Sequence, residues 1–337
     1  MTATTLRIAP EELRAAMVRR FEAAGLADSM AEATAQILLE ADLLGHRTHG
    51  VAMVQTYCDA IEDGSMARSG EPEVLSKRGA SEFWQGNRIA GAWLTLKAID
   101  RAEEMARDYG TGTIVMRRSF HIGALAAYLE AVAKRGLVLL LQTSAPHAAT
   151  VAPFGGCAPV ISPSPLAIGY PSGDTTVLID ISTSVTSNSL VRRTKRENKR
   201  LPHPWVIRPD GQVTDDPGES ETILPLGGLE AGHKGFGMAL MVEALTAGLA
   251  ATGRNEPSPN LGASVFVQVI DPEAFGGLDG MAGVMGHMSD LCHAAEPISP
   301  DAPVRLPGEA ALKRKAEQLS NGVIVSAQYW DQVKPNS

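Results

Sequence analysis

The sequence predicts a mixed α/β protein whose first third is helical. Two patterns carry this expectation: amphipathic helical spacing dominates the chain to about residue 80, and from about Glu82 helix and strand patterns alternate. With 44% of 337 residues hydrophobic and 20% charged, the chain has enough apolar surface for a sizeable core.

Pro10 opens the first helix, in which Leu13, Met17 and Phe21 recur four residues apart, and Gly25 stops it. Ser29 and Glu32 have capping-box spacing ahead of a second helix through Ile37, Leu38, Ala41 and Leu44, closed by Gly45. Val51 to Asp63 reads as a third helix ending at Gly64. Ala92 to Tyr109 is then helical, Thr113 to Met116 a short strand, Ala124 to Lys134 helical and Leu137 to Gln142 a buried strand. Ser144 to Pro165, rich in Pro, Gly and Ser, is a long loop, and such loops are usually functional. Thr175 to Ile181 is a strand, Arg192 to Asp216 polar and turn-rich, and Phe236 to Leu249 an apolar helix after the Gly-rich Pro225 to Gly235. Ser264 to Ile270 and Val323 to Ser326 read as strands, with a helix from about Gly308 to Leu319.

A net charge of −8 supplies no basic surplus for a nucleic-acid interface or an anionic membrane. Cys58, Cys157 and Cys292 are odd in number and far apart, which excludes a disulfide framework and points to a reducing compartment. The N-terminus lacks a signal-peptide pattern and no apolar run approaches the roughly 20 residues of a membrane helix, so the expectation is a soluble, cytoplasmic protein.

Helix and strand alternation alone suggests a parallel, doubly wound sheet with a G-x-G-x-x-G turn after its first strand. That turn is missing: Gly232-His233-Lys234-Gly235-Phe236-Gly237 has the wrong spacing, and no P-loop is present. From the residues, the reading ends at a mixed α/β, enzyme-like protein.

Several segments bear candidate chemistry. Asp42, His46, Thr48 and His49 cluster between two helices, where a His beside a hydroxyl can relay a proton. The same segment also fits a plain helix C-terminus whose His46 and Arg47 answer the dipole. His121, in Ser119-Phe120-His121-Ile122-Gly123, sits where a strand gives way to a helix, beside helix N–H groups that suit a phosphate or an oxyanion, or else stands in for an N-cap. Asp180 ends an apolar strand before Ser182, Thr183 and Ser184, a place for binding ribose hydroxyls or for a local turn. Lys234 precedes the apolar helix as a candidate phosphate-binding cation, and Arg305 precedes another as a candidate carboxylate partner. A metal on Asp42, His46 and His49 lacks a fourth ligand, and none is expected.

In order, these segments resemble the signatures of the malate/L-lactate dehydrogenase-like family: Thr48-His49-Gly50-Val51, Phe120-His121-Ile122-Gly123, Ala152-Pro153-Phe154-Gly155-Gly156, Ser162-Pro163-Ser164-Pro165, Leu178 to Ser184, Pro225-Leu226-Gly227-Gly228, His233-Lys234-Gly235 and Arg305 to Glu309. The resemblance runs from about residue 5 to 330. It implies the non-Rossmann mixed sheet of the L-sulfolactate/malate dehydrogenase-like fold with an N-terminal helical region, a homodimer, NAD or NADP as cofactor, and hydride transfer at a 2-hydroxy or 2-oxo acid or a related cyclic imine carboxylate. It implies His121 as proton donor and acceptor, with Thr48 and His49 beside it. It also implies cofactor contacts from His121, Ile122, Gly123, Ala124, Leu125, Ser144, Asp180, Ile181, Ser182, Lys234, Arg305, Leu306 and Pro307. The substrate side falls to His49, Met53, Ser164 and Arg305. Residues 1–80 are expected to form the helical region at the substrate, 81–300 the cofactor-binding domain, and 301–337 a segment packed back on the N-terminal lobe.

Three places depart from the family pattern. Met53 stands where the family carries a carboxylate-binding Arg, Phe120 where it carries Asn, and Ser162-Pro163-Ser164-Pro165 where it carries G-T-N-P. Replacing Arg by Met removes a charge-assisted contact and adds apolar surface, which disfavours a small dicarboxylate and leaves Arg305 or Arg47 to supply a cation. The alternatives are a noncatalytic nucleotide-binding relative and a metal-dependent hydrolase or lyase.

Overall fold

Residues 4–256 and 261–334 are described by the computed structural model. The N-terminal part comprises β1 (Thr5–Ile8), α1 (Pro10–Ala23), α2 (Asp28–Leu44), α3 (Val54–Glu62, entered through a tight turn at Val51–Met53), β2 (Glu73–Arg78) and β3 (Ser81–Gln85). The middle comprises α4 (Gly91–Tyr109), β4 (Thr111–Phe120), α5 (Ala126–Ala133), β5 (Val138–Ser144), β6 (Leu166–Ser172) and β7 (Thr175–Ile181). Then come α6 (Asn188–Arg196), β8 (Val206–Ile207), β9 (Val213–Thr214), α7 (Gly228–Glu243), β10 (Gly262–Ile270), α8 (Leu278–Ala294), α9 (Glu309–Asn321), β11 (Val323–Ser326) and α10 (Ala327–Val333).

Seven strands form the main sheet in the order β2-β3-β4-β10-β5-β6-β7, antiparallel at each step except β3 with β4. This is a mixed sheet and not a doubly wound one. The helix α5 does join two strands that point the same way, β4 and β5, as the alternation suggests. The late strand β10 inserts between them, antiparallel to both, which no local pattern reveals.

The central strands follow the two-residue period of a pleated sheet covered on both faces. Ile114, Met116, Val265, Val267 and Val269 pack with Leu94, Ile99, Tyr128 and Leu129 of α4 and α5, while Val115 and Phe266 turn the other way onto Leu245 and Ala250. At the sheet's edge β2 is exposed along its whole length and carries Lys77 and Arg78, which discourage pairing with another chain.

A second core lies under α1, α2 and α3, where Leu13, Met17 and Phe21 meet Leu38, Tyr57 and Ile61. The C-terminal strand β11 pairs antiparallel with β1, so Val323 and Val325 enter that same core. The tail also caps α2 from a distance. Gln318 of α9 donates through Nε2 to the carbonyls of Asp42 and Leu43, both at 2.9 Å, and Arg314 donates to the carbonyl of Leu44 at 2.8 Å. These are carbonyls that a helix end leaves without intrahelical partners. Lys315 adds ion pairs to Glu40 of α2 and, at 2.6 Å, to Glu130 of α5.

The structure differs from the sequence reading at several elements. No capping box forms at Ser29 and Glu32: the N-cap of α2 is Ala27, two residues earlier, and it has no side-chain cap. Strand β4 runs ten residues, because the chain passes a bulge at Arg117 and Arg118, the latter with a left-handed φ of 50°, and resumes pairing with β10 at Ser119 and Phe120. Helix α8 is unannounced in sequence, since Gly280, Gly283 and Gly286 lower its propensity and only Ser289 is buried, leaving no apolar stripe to read. Strand β6 is obscured by Gly169 and Pro171, yet Gly169 is required there, because a Cβ would lie 2.7 Å from that of Leu129.

Gln318 is 3% exposed and its Oε1 accepts the Ile324 N–H at 2.8 Å, so Gln318→Leu would strand the Leu43 carbonyl and the Ile324 amide, while the Asp42 carbonyl keeps the Gly45 N–H. We expect a loss of roughly 2–5 kcal/mol in denaturant unfolding. A change under about 0.5 kcal/mol would show that the tail does not hold α2.

Candidate active site

Three chain segments converge from different elements. The first is the turn after α2, which Gly45 opens with a left-handed φ of 96°. In the turn's far side, buried Asp42 accepts the Val51 N–H on Oδ2 at 2.7 Å, tying the start of the next helical turn back to α2. Gly50 permits this: a Cβ there would sit 2.1 Å from the Asp42 carboxyl. Burial pushes the Asp42 carboxyl up to about 7, opposed by the Val51 N–H and by Arg47. Thr48 Oγ1 lies 3.0 Å from His49 Nδ1, so the expected hydroxyl and imidazole pair forms, with Thr48 exposed and His49 partly buried.

The second segment is the end of β4. His121 lies there with its ring stacked on that of His49, centroids 5.8 Å apart and planes 23° from parallel. Its Nδ1 faces the hydroxyl of Tyr57 at 2.6 Å and the Gly123 N–H at 3.4 Å. Burial lowers the His121 imidazole to about 3, with His49 and His147 adding to the effect, and lowers His49 to about 4, with His46 adding to it. Both rings are therefore neutral at pH 7. Ile122, Gly123, Ala124 and Leu125 follow as a buried turn in which Gly123 has φ of 77° and Ile122 O accepts from Tyr128 at 2.5 Å.

The third segment is the end of β7, where Asp180 Oδ2 accepts the Ala126 N–H at 2.8 Å, at the start of α5. The helix N–H groups expected to be free near His121 are thus taken, Ala126 by Asp180 and the next two by the carbonyls of Ala124 and Leu125. Asp180's other oxygen has no hydrogen-bond partner among the described residues. Burial raises its carboxyl above the usual range, against an opposing pull from His46.

Two further elements flank Asp180. The Arg305 segment docks on β7 through Leu178 N–H to Pro307 O at 3.2 Å, with Arg305 exposed and Leu306 half-buried. On the other side Leu226 N–H donates to Thr183 O at 2.8 Å, and Gly235 packs on Leu226 so closely that a Cβ would lie 2.4 Å from its carbonyl. That contact fixes α7, which begins at Gly228; Lys234 is exposed within the helix and not ahead of it. Ile181 is exposed, and Ser182 lies within hydrogen-bond reach of Ser184 at 3.2 Å.

Ser144 and Ser164 are placed in a polar network behind these segments. Ser144 accepts from Thr246 at 2.8 Å; Ser164, with no exposed surface, bonds Ser162 and Glu243, which also pairs with Arg254. Met53 is half-buried against the N-terminal core. Among the described residues no three His, Cys, Asp or Glu gather as a cation site, and Asp42 is turned to Val51.

Two site residues escaped the sequence reading. Tyr57 read as one more apolar position of its helix, although it stands four residues beyond Met53 and eight beyond His49. His147 lay in a loop without a pattern; its Nε2 accepts the Leu261 N–H at 3.3 Å.

The lowered His121 fixes a sign. Below about 6.5 the unfolded chain takes up a proton at this residue, and the folded chain does so only near 3, so this group's contribution to stability falls as the pH falls. We expect the Tm of His121→Asn to decline less steeply than that of the wild type between pH 6.5 and 4; equal slopes would contradict the burial of a neutral ring.

The chain is similar to known proteins along most of its length. A family model described as malate/L-lactate dehydrogenase matches residues 8–334. A malate/(S)-sulfolactate dehydrogenase of Methanothermus fervidus is 29% identical over 277 residues, 80% of each chain. A 2,3-diketo-L-gulonate reductase of Salmonella typhi is 25% identical over 98% of this chain and 99% of its own. The crystal structure of a malate dehydrogenase from Entamoeba histolytica shares the fold, with a TM-score of 0.92 at 22% identity over 98% of this chain and 97% of its own.

Proposed function

The chain belongs to the malate/L-lactate dehydrogenase family and is an oxidoreductase, and from that premise we propose that it moves a hydride between NAD or NADP and the carbon beside a carboxylate, in a 2-hydroxy or 2-oxo acid or a cyclic imine carboxylate. The observation that carries this reading is His121, a neutral imidazole with Nδ1 engaged by Tyr57 and stacked against His49. Such a ring has one nitrogen left for a reacting oxygen or imine nitrogen.

The residues around Asp180 fit a nicotinamide nucleotide. Its second carboxylate oxygen suits a hydroxyl or amide donor, and Lys234 and Arg305 are exposed cations without an ion pair among the described residues, available to phosphates. When bound, the nicotinamide supplies or takes the hydride. His121 Nε2 gives a proton to the oxygen of a 2-oxo acid during reduction and takes it back during oxidation. His49, with Thr48 on its Nδ1, walls the same pocket and donates to the substrate. The turn from Ile122 to Leu125, with Ser144, Ile181, Ser182, Leu306 and Pro307, completes the cofactor side.

On the substrate side Met53 and Ser164 bring no charge, so the carboxylate falls to Arg305 or Arg47, both exposed. In this reading residues 1–80 line the substrate, 81–300 hold the cofactor, and 301–337 brace the N-terminal lobe. The working form is a homodimer in the cytoplasm; no helix among the described residues is long and apolar enough to cross a membrane.

The test is to titrate NADH and NADPH separately by nicotinamide fluorescence, then add 2-oxo acids and cyclic imines to the complex. We expect one nucleotide to bind and one substrate class to oxidise it. Binding without turnover of any compound would favour a noncatalytic relative, and binding of neither nucleotide would overturn the reading. Arg305→Ala is expected to raise the KM of the oxo acid about 10- to 100-fold, the loss of one charge-assisted bond. If only the NADH affinity fell, Arg305 would belong to the cofactor and Arg47 to the carboxylate.

A further inference from the structure

Tyr57 is 1% exposed and lies between Phe21, 6.3 Å away by ring centroids, and Phe120, which meets it edge-on at 5.5 Å. Its hydroxyl is shut off from solvent, and burial holds the phenol well above its ordinary range, so it stays un-ionised. Among the described residues its one hydrogen-bond partner is His121 Nδ1. A buried hydroxyl without a second partner must use its proton on that nitrogen or leave it unsatisfied.

We propose that Tyr57 is the positioning residue of His121, with a hydroxyl that donates to Nδ1 of the neutral ring and turns to accept from Nδ1–H of the charged one. The inference rests on His121 being the proton partner of the reaction. In the neutral state Tyr57 and the Gly123 N–H both point donors at Nδ1, so the ring proton is confined to Nε2. The enzyme then presents an N–H to a carbonyl oxygen, which accepts it, and binds the 2-oxo acid in the orientation for reduction.

Once the ring gains a proton, the phenol oxygen takes Nδ1–H without movement of the imidazole. As the substrate carbon receives the hydride, the C=O π pair moves onto oxygen, the Nε2–H bond breaks and an O–H bond forms. The electron pair of the broken bond stays on Nε2, and the ring is left neutral with its proton on Nδ1, bonded to Tyr57. A proton from solvent at Nε2 restores the charged ring, and loss of its Nδ1 proton returns the neutral resting form. A Phe at this place would keep the packing against Phe21 and Phe120 and delete both hydrogen bonds.

The test uses protein labelled with 15N in its imidazoles, free of ligands, and the variant Tyr57→Phe. In the wild type the His121 shifts are expected to show Nε2 protonated and Nδ1 bare; in Tyr57→Phe they should move toward a mixture of tautomers. With the oxo acid that the nucleotide complex reduces, kcat should fall about 10- to 100-fold with KM within a few-fold, and the alkaline limb of the kcat profile, where the His121 proton donor is lost, should move to lower pH. Wild-type His121 found protonated on Nδ1 with Nε2 bare would overturn the proposal, and that measurement needs no variant to fold. An unaltered tautomer and pH profile in Tyr57→Phe would also overturn it, leaving Tyr57 as packing. Retention of turnover by His121→Asn would instead remove the reading of His121 itself, a result distinct from either.

Discussion

The carboxylate of Asp42 holding the Val51 N–H is the contact on which the site depends. It fixes where α2 stops and where the helical turn leading into α3 begins, so it sets both Thr48 and His49 in the turn and Tyr57 two turns further on. Gly45 supplies the reversal, Gly50 the close approach, and α9 satisfies the last α2 carbonyls through Gln318 and Arg314. The C-terminal tail thus stabilises a turn more than 250 residues away in sequence, as the separation of 276 between Gln318 and Asp42 records. A shift in any of these contacts moves both neighbours of His121 together.

The chemistry follows from burial more than from charge. His49 and His121 stack in a setting that keeps both neutral, and the nearby carboxylates, Asp42 and Asp180, are each engaged by a backbone N–H. Cations lie at the periphery, on Arg305 and Lys234, where an anionic cofactor or substrate would meet them. A neutral imidazole at pH 7 can accept a proton from an alcohol, and an anionic ligand placed beside it favours the charged ring needed to give one back.

Much of the N-terminal half was legible because its periodicity is local: the helices around Leu13 and Ile37 and the stops at Gly45 and Gly64 follow from spacing. The sheet was not, because β10 reaches its place between β4 and β5 from more than 100 residues away, and strand order leaves no local trace. The pairing of β1 with β11 is hidden for the same reason. In the site, the motifs around His49, His121 and Asp180 could be read in order, but their partners could not. Tyr57 has the spacing of a core residue and becomes notable only when His121 is seen 2.6 Å away, and Ala126 gives no hint that Asp180 will take its N–H. Lys234 was placed one element too early because the glycines before Phe236 suggest a loop, whereas α7 runs through them.

The most direct measurement of the central claim is the fate of the hydride and of the proton at His121. With nicotinamide deuterated at C4 and the oxo acid or imine that oxidises it, the wild type is expected to give a product carrying one deuterium at the carbon beside the carboxylate, by mass spectrometry after a single turnover. His121→Asn, saturated with the same nucleotide, is expected to lose the transfer by at least about 100-fold. Product without deuterium, or transfer undiminished in the variant, would contradict the account.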